Sequence, residues 1–250
     1  MRTYLINLDR STERLSIVTD RLAALGLTWE RIPAVDGKTL TAEHKTAVVS
    51  PNWKFPTTLT SGEIGCMLSH RYCWEQFLAT GDEWLLVLED DCVFSPKAYQ
   101  YLSSPDWIPE GVDLIQLSTV DEPAYCDHEI SLPTLNNSLY RIKYSYPKGA
   151  YGYLISKRAA QLAVDMSRII EEPADNFLFG HYSSFVKKIS FFRLAKGIVK
   201  VVDDVPTTLP EKGKHKEWNL HRLSWKRFST KLKMNLARKH CQLVQQQWLD

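Results

Sequence analysis

Trp84-Leu85-Leu86-Val87-Leu88-Glu89-Asp90-Asp91 joins an apolar run directly to three carboxylates. An apolar run of that length is the signature of a strand buried on both faces of a parallel sheet. Open α/β sheets bind ligands just beyond the carboxyl ends of such strands. Three acids gathered there repel one another unless a cation or basic side chains sit among them. A hard divalent cation carrying a phosphate meets that need, because Mg²⁺ and Mn²⁺ take oxygen ligands and share them with phosphates. On an extended backbone Glu89 and Asp91 point together and Asp90 points away. The competing reading is a solvated strand end in which Asp90 or Asp91 caps a turn.

Upstream of this run, Tyr4 to Leu8 reads as a first strand. Asp9, Ser11 and Thr12 offer capping oxygens to a helix carrying Leu15, Val18, Leu22 and Leu25 at helical spacing, with Gly26 closing it. Thr28 to Ile32 is a short strand that runs into the loop Pro33-Ala34-Val35-Asp36-Gly37. The chain therefore opens β-α-β, the unit of a nucleotide-binding sheet. Thr60-Ser61-Gly62-Glu63 is a capping box, and Ile64, Met67, Leu68, Trp74, Phe77 and Leu78 continue it as a mostly buried helix to Gly81. Downstream, Leu114 to Ser118, Tyr140 to Tyr146 and Tyr151 to Ile155 read as strands, followed by a helix from Lys157 to about Met166. Phe191 to Val202 has strand character broken at Gly197. Residues 38–56 read as mixed helix and loop, and Asp121 to Asn137 as a loop-rich excursion.

With 250 residues, 44% hydrophobic and 24% charged, the chain suits one large α/β domain with or without a tail. The net charge of +2 is unevenly spread: residues 211–250 hold ten Lys or Arg against three Asp or Glu. Within that stretch Trp225, Phe228, Leu232 and Leu236 recur at roughly helical spacing among Lys226, Arg227, Lys231, Lys233, Arg238 and Lys239. A basic amphipathic helix of this kind suits an anionic membrane surface, or packs its apolar face on the domain. The expected division is a domain over residues 1–210 and a basic amphipathic extension over residues 211–250. No nucleic-acid module accompanies the charge, so nucleic acid is not an expected partner.

The N-terminus lacks the apolar core of a signal peptide, and no window approaches a membrane span. The five cysteines include no C-x₂-C pair, and Cys66 and Cys73, on roughly one side of a helix, read as buried free thiols. A cytoplasmic location is expected. P-loop, dinucleotide-binding, nucleophile-elbow and zincin motifs are all absent, which disfavours those enzyme classes.

Two further clusters could carry chemistry. Asn7-Leu8-Asp9-Arg10, with Arg14 beyond, joins the first strand to its helix, where backbone N–H groups and both arginines suit a phosphate. Routine capping with surface arginines is the alternative. In Gly62-Glu63-Ile64-Gly65-Cys66-Met67-Leu68-Ser69-His70, two glycines in the first helical turns permit close approach of a ligand or another backbone. His70 is either a ligand or a satisfied core histidine.

Taken together, these stretches resemble glycosyltransferase family 25, the group containing bacterial lipooligosaccharide galactosyl- and glucosyltransferases. The resemblance rests on Ile6-Asn7-Leu8-Asp9-Arg10 with Arg14, Pro33-Ala34-Val35-Asp36-Gly37, Gly62-Glu63-Ile64-Gly65-Cys66 with Leu68-Ser69-His70, and Leu86-Val87-Leu88-Glu89-Asp90-Asp91. Gly149 to Ser156 and Pro173-Ala174-Asp175-Asn176 are similar more loosely, and nothing beyond about Val202 is.

The resemblance implies a GT-A-like nucleotide-sugar fold, a mixed α/β sheet flanked by helices. It implies Mn²⁺ or Mg²⁺ as cofactor, with Asp91 the principal ligand and Glu89 near the ribose or donor sugar. Asn7, Asp9, Arg10, Arg14, Asp36, Gly62, Glu63, Ser69, His70 and Asp90 would complete the donor site. The family is regarded as inverting, and Asp175 is the candidate base, with the N-cap of a short helix as its other reading. Glu63 and Asp121 are alternative bases, and His215 and His221 offer a late metal ligand. The expected partners are UDP-galactose or UDP-glucose and a lipid-linked oligosaccharide acceptor, met at the inner face of the inner membrane. A nucleotidyltransferase and a non-catalytic sugar-nucleotide-binding protein are the rival readings.

Overall fold

The predicted β-α-β opening stands at the start of the computed structural model, which describes residues 1–51, 59–145, 149–201 and 241–250. It comprises β1 (Arg2–Asn7), α1 (Thr12–Ala24) and β2 (Glu30–Pro33). There follow α2 (Ala42–Val48), α3 (Ser61–Leu78), β3 (Trp84–Glu89), β4 (Cys92–Phe94), α4 (Tyr99–Leu102) and β5 (Leu114–Gln116). Then come β6 (Ala124–Leu132), β7 (Asn137–Tyr144), β8 (Gly152–Ser156), α5 (Lys157–Met166) and α6 (Ala174–Phe179). The last strands are β9 (Phe191–Leu194), β10 (Lys196–Gly197), β11 (Val199–Val201), β12 (Gln242–Val244) and β13 (Gln247–Trp248).

Nine strands form one mixed sheet in the order β12-β6-β7-β9-β5-β8-β3-β1-β2. β1 pairs parallel with β2 and β3, and β8 runs antiparallel between β3 and β5. β9 is parallel to β5. The carboxyl ends of β1, β3, β5 and β9 therefore share one edge, the edge at which α/β sheets take ligands.

Each face of the sheet is covered. On one, Leu85, Val87, Tyr153 and Leu114 pack against Ile64, Met67, Trp74 and Phe77 of α3, Ala159 and Ala163 of α5, and Phe177 of α6. On the other, Leu5, Leu86, Leu88 and Ile115 meet Val18 and Leu22 of α1 and Tyr101 and Leu102 of α4. Leu85, Leu86, Val87 and Leu88 are fully buried, each contributing about 2 kcal/mol. The run at Trp84 is a strand buried on both faces, as its composition predicts.

α3 begins with the predicted capping box. Thr60 Oγ1 accepts from the Glu63 N–H at 3.2 Å, and Glu63 Oε2 accepts from the Thr60 N–H at 2.7 Å. At α1, Ser11 is the N-cap but its side chain makes no capping bond. Asn7 Nδ2 instead reaches the Ser11 carbonyl at 3.1 Å.

Two expectations fail. Asp121 to Asn137 is not a loop-rich excursion, for it contains the nine-residue β6. Register shifts between Tyr125 and Cys126 and between Cys126 and His128 break its alternation, and such bulges hide a strand from a period-2 reading. Nor does a helical extension reach the end of the chain. β12 pairs antiparallel with β6, β13 pairs parallel with β10, and Val244 and Leu249 are buried. Strands of three and two residues are too short to show a period. The amphipathic stretch Trp225–Leu236, and His215 and His221, lie outside the described residues.

Candidate functional site

Parallel pairing sets Ile6 opposite Glu89, which brings the next residues, Asn7 and Asp90, side by side. Asn7 is buried, and its Nδ2 donates to Asp90 Oδ2 at 2.7 Å while its Oδ1 accepts from Arg31 Nε at 3.0 Å. The chain turns at Asp90-Asp91 before entering β4. Arg14, from the first turn of α1, lies 2.8 Å from Asp90 Oδ1 and 2.5 Å from Asp91 Oδ2. Strand alternation separates Glu89 from Asp90 as expected. Asp91, expected beside Glu89, instead shares Arg14 with Asp90, because the strand ends at Glu89 and alternation ends with it.

Among the described residues, three acids here meet one guanidinium. Burial, then the charge of Glu89, pushes Asp91 up to about 6 despite Arg14. Burial also raises Asp90, opposed by Arg14 and by the Asn7 hydrogen bond. Asp91 Oδ1 is buried with no hydrogen-bond partner among the described residues. An orphaned acceptor in an acid-rich turn fits a hard cation, for which Asp91 and Glu89 are the available oxygen ligands.

Glu89 leaves the sheet on the α3 side, where His70 Nε2 lies 3.3 Å from its Oε1. His70 is 1% exposed, and its Nδ1 is 2.9 Å from the Tyr153 hydroxyl, which accepts from Trp74 Nε1 at 3.0 Å. A carboxylate can only accept, so His70 Nε2–H donates to Glu89; with its ring proton there, His70 Nδ1 accepts from the Tyr153 hydroxyl. His70 is thus a satisfied core histidine that also orients an acid of the turn. Cys66 completes a group with His70 and Glu89 whose ligand atoms all lie within 4.8 Å of one another. All five cysteines are free, Cys73 buried and Cys66 half-buried.

The other predicted residues divide. Asp175 approaches the acids: burial raises its pKa first, and Glu63 and Glu89 add to the rise. It is not an N-cap, since Pro173 holds that position. Its Oδ2 accepts from the Gly149 N–H at 3.2 Å and its Oδ1 from the Asn176 N–H at 2.7 Å. Glu63 commits its carboxylate to the Thr60 cap, and Asp121 is exposed. Arg10 turns away from the acids to pair with Asp36. Asp9, 80% exposed at its side chain, pairs with Arg31 at 2.5 Å.

Ser69 and the glycines hold a loop in place. Ser69 Oγ donates to the Gly65 carbonyl at 2.7 Å and accepts from the Val35 N–H at 2.9 Å. A Cβ on Gly65 would stand 2.5 Å from the Val35 carbonyl oxygen, and one on Gly37 1.7 Å from that of Ser61. The backbone of the Asp36 loop therefore rests directly on the first turns of α3. Gly62 lies in the first of those turns. Trp74, Tyr153, Gly149 and Arg31 escape the sequence reading as site residues. Each comes from a stretch that reads as core, strand or surface, and only the packing of distant elements brings it to the site.

The family model for glycosyltransferase family 25 (LPS biosynthesis protein) matches residues 1–178. This chain belongs to that family, and so to the glycosyltransferases. A glycosyltransferase 25 family member of Anopheles gambiae is 33% identical over 195 residues, covering 70% of this chain and 30% of its own. Lipooligosaccharide biosynthesis protein lex-1 of Haemophilus influenzae is 29% identical over 125 residues, 48% of this chain and 41% of its own. This chain thus spans less than half the length of both. The lacto-N-neotetraose biosynthesis glycosyltransferase LgtB of Neisseria gonorrhoeae is 24% identical over 189 residues, 72% of this chain and 67% of its own. Among solved structures, a glycosyltransferase involved in the glycosylation of the major capsid of PBCV-1 overlaps 82% of this chain and 95% of its own. It does so at 11% identity with a TM-score of 0.45, a loose likeness that carries no argument about function.

Proposed function

We propose that this glycosyltransferase moves galactose, or else glucose, from a UDP-sugar to a lipooligosaccharide acceptor, with inversion and with a divalent cation. The observation that carries the reading is the turn Glu89-Asp90-Asp91 at the carboxyl end of β3, with Arg14 between two of its acids and an Asp91 oxygen that has no partner among the described residues. Asp91 and Glu89 would hold Mn²⁺ or Mg²⁺. When bound, such a cation stabilises the charge that grows on a departing diphosphate.

The chain's own residues account for the rest. Asn7 and Arg14 keep Asp90 and Asp91 together against their mutual repulsion. The series Trp74, Tyr153, His70 holds Glu89 in one orientation. Asp175 serves as base, taking the proton of the acceptor hydroxyl, and its raised pKa moves it toward the range in which a carboxylate is an effective base. The lipooligosaccharide class is supported by lex-1 and LgtB, whose names specify lipooligosaccharide and lacto-N-neotetraose biosynthesis. An insect relative and a procollagen galactosyltransferase 1 of Danio rerio, 32% identical over 197 residues, belong to larger proteins of which this chain spans 30%. No helix among the described residues is long and apolar enough to cross a membrane. A peripheral site of action would bring the chain to a lipid-linked acceptor.

The test is UDP release from a panel of UDP-sugars with Mn²⁺ or EDTA, without and with a lipooligosaccharide acceptor. The reading expects EDTA-sensitive release from UDP-galactose or UDP-glucose, stimulated by acceptor, and a β-linked product. Release of pyrophosphate, or binding without turnover under every condition, would contradict it.

A further inference from the structure

Away from the acidic turn, the same sheet edge holds a buried arginine with no acid beside it among the described residues. Arg193 of β9 is 2% exposed, and its Nε donates to Gln116 Oε1 of β5 at 2.9 Å. Its Nη2 is buried without a partner among the described residues, as are Gln116 Nε2 and Ser118 Oγ. Gln116 and Ser118 are 0% exposed. Among the described residues, the ionisable group that acts on Arg193 is the Tyr151 phenol, which burial pushes up to about 12 and so leaves neutral. Burial itself holds the guanidinium down at about 10, still charged at neutral pH.

Placement joins these groups. Arg193 and Gln116 are paired in register, and Ser118 follows two residues beyond Gln116, on the same side of the strand path. Their neighbours Leu114 and Phe191 pack in the core shared with α3, the side to which Glu89 also turns. Two more orphaned groups, Thr119 Oγ1 and Gln246 Nε2, lie beside Gly197, 2.5 and 2.9 Å from the point where a Cβ on it would stand. The set formed by Arg193, Gln116 and Ser118 comprises one cation, one amide N–H₂ group and one hydroxyl, without a carboxylate.

Burying such a set unpaired is costly: a lone polar group loses its hydration, and a lone charge loses far more. An anion replaces what is missing, since a guanidinium presents a planar fork that matches a carboxylate or phosphate. Gln116 and Ser118 stand at the end of β5 and Arg193 on β9, two and three strands from β3 in the sheet order β3-β8-β5-β9. At ~4.8 Å per strand that is about 10 to 14 Å across the sheet from the acidic turn, more than one diphosphate held there spans.

We propose that Arg193, Gln116 and Ser118 form a subsite for an anionic group, carboxylate or phosphate, carried by the acceptor saccharide. That the ligand is the acceptor rests on the glycosyl-transfer reading; the anion chemistry does not.

Binding of methyl β-D-glucuronide, glucose 6-phosphate and neutral methyl β-D-glucoside tests the subsite, by ligand-observed NMR on the full chain with UDP and Mg²⁺ saturating. The subsite expects one or both acidic sugars to bind roughly 10- to 100-fold more tightly than the glucoside, the worth of a charge-assisted pair. Which one binds separates carboxylate from phosphate. Arg193→Met should abolish the preference while leaving UDP affinity unchanged, and Arg193→Lys, charged but without the fork, should keep only part of it. Equal binding of all three sugars by the unaltered chain would overturn the proposal whether or not the variants fold. So would a preference that survives Arg193→Met. UDP release from UDP-sugars with a lipooligosaccharide acceptor, read on the same protein without added UDP, separates the two claims: release without anion preference discards the subsite alone. Anion preference without release discards glycosyl transfer and leaves the subsite standing.

Discussion

Asp91 and Asp175 are both acids that burial disfavours as anions, yet they are held differently. Asp91 has an arginine and a free oxygen, whereas both Asp175 oxygens accept backbone N–H bonds. That contrast suits one to a cation and the other to a proton. Asp175→Asn should lower kcat for transfer about 10²- to 10⁴-fold with UDP affinity unchanged; steady-state kinetics with acceptor checks it, and a loss confined to KM would exclude the base role. Three residues before Asp175, Glu172 is 9% exposed, and burial pushes its carboxyl from an ordinary 4.5 up to about 7. The folded chain thus holds this proton more tightly than the unfolded chain. The resulting stability is fully present below about pH 4.5 and is lost as pH rises through about 7. Glu172→Gln should therefore raise the unfolding free energy read from urea melts at pH 8 by up to about 3 kcal/mol, with no comparable gain at pH 4. An equal effect at both pH values would contradict the assignment.

The start of α3 is where a helix, a loop and the site meet. Val35 to Gly37 lies against its first turns with no room for a Cβ on Gly65, whose nearest neighbours would be backbone atoms at 2.5 and 2.7 Å. Backbone cannot swing aside as a long side chain can. Gly65→Ala should destabilise the chain by about 1–3 kcal/mol, read as a lower Tm, and displace the Asp36 loop; an unchanged Tm would mean that the packing is looser than drawn. This element also shows how far the sequence could be read. The capping box, the apolar run of β3 and the opening β-α-β unit are legible because each has a local period or a local cap. β6 is not, because two register shifts erase its alternation. In the site, the acids were legible as a cluster at a strand end. Sequence could not say that Arg14 turns to them while Arg10 turns to Asp36, since a loop of a few residues decides that. Nor could it bring Tyr153, Arg193 and Gln116 to one edge, because sheet order does so across long stretches of chain.

The molecule as a whole is a mixed sheet that the end of the chain completes. β12 covers the Ala124–Cys126 edge of β6, and Gln246 Oε1 accepts from the Val120 N–H at 2.8 Å. Removing residues 241–250 would bare that edge and the cavities left by Val244 and Leu249. Such a truncation should lower Tm and promote association through the open strand; a truncated chain that stays monomeric with the same Tm would show the return strand to be dispensable. A membrane role for residues 225–239 is therefore better tested by charge-neutralising substitutions than by truncation.

The central claim is that the turn after β3 binds a cation together with the donor's diphosphate. Calorimetric titration of UDP, with and without Mn²⁺, into the unaltered chain and into Asp91→Asn tests it most directly. The account predicts tight UDP binding by the unaltered chain only when Mn²⁺ is present, and a loss of that enhancement in a folded Asp91→Asn. UDP affinity that ignores Mn²⁺, or an enhancement that survives Asp91→Asn, would contradict it.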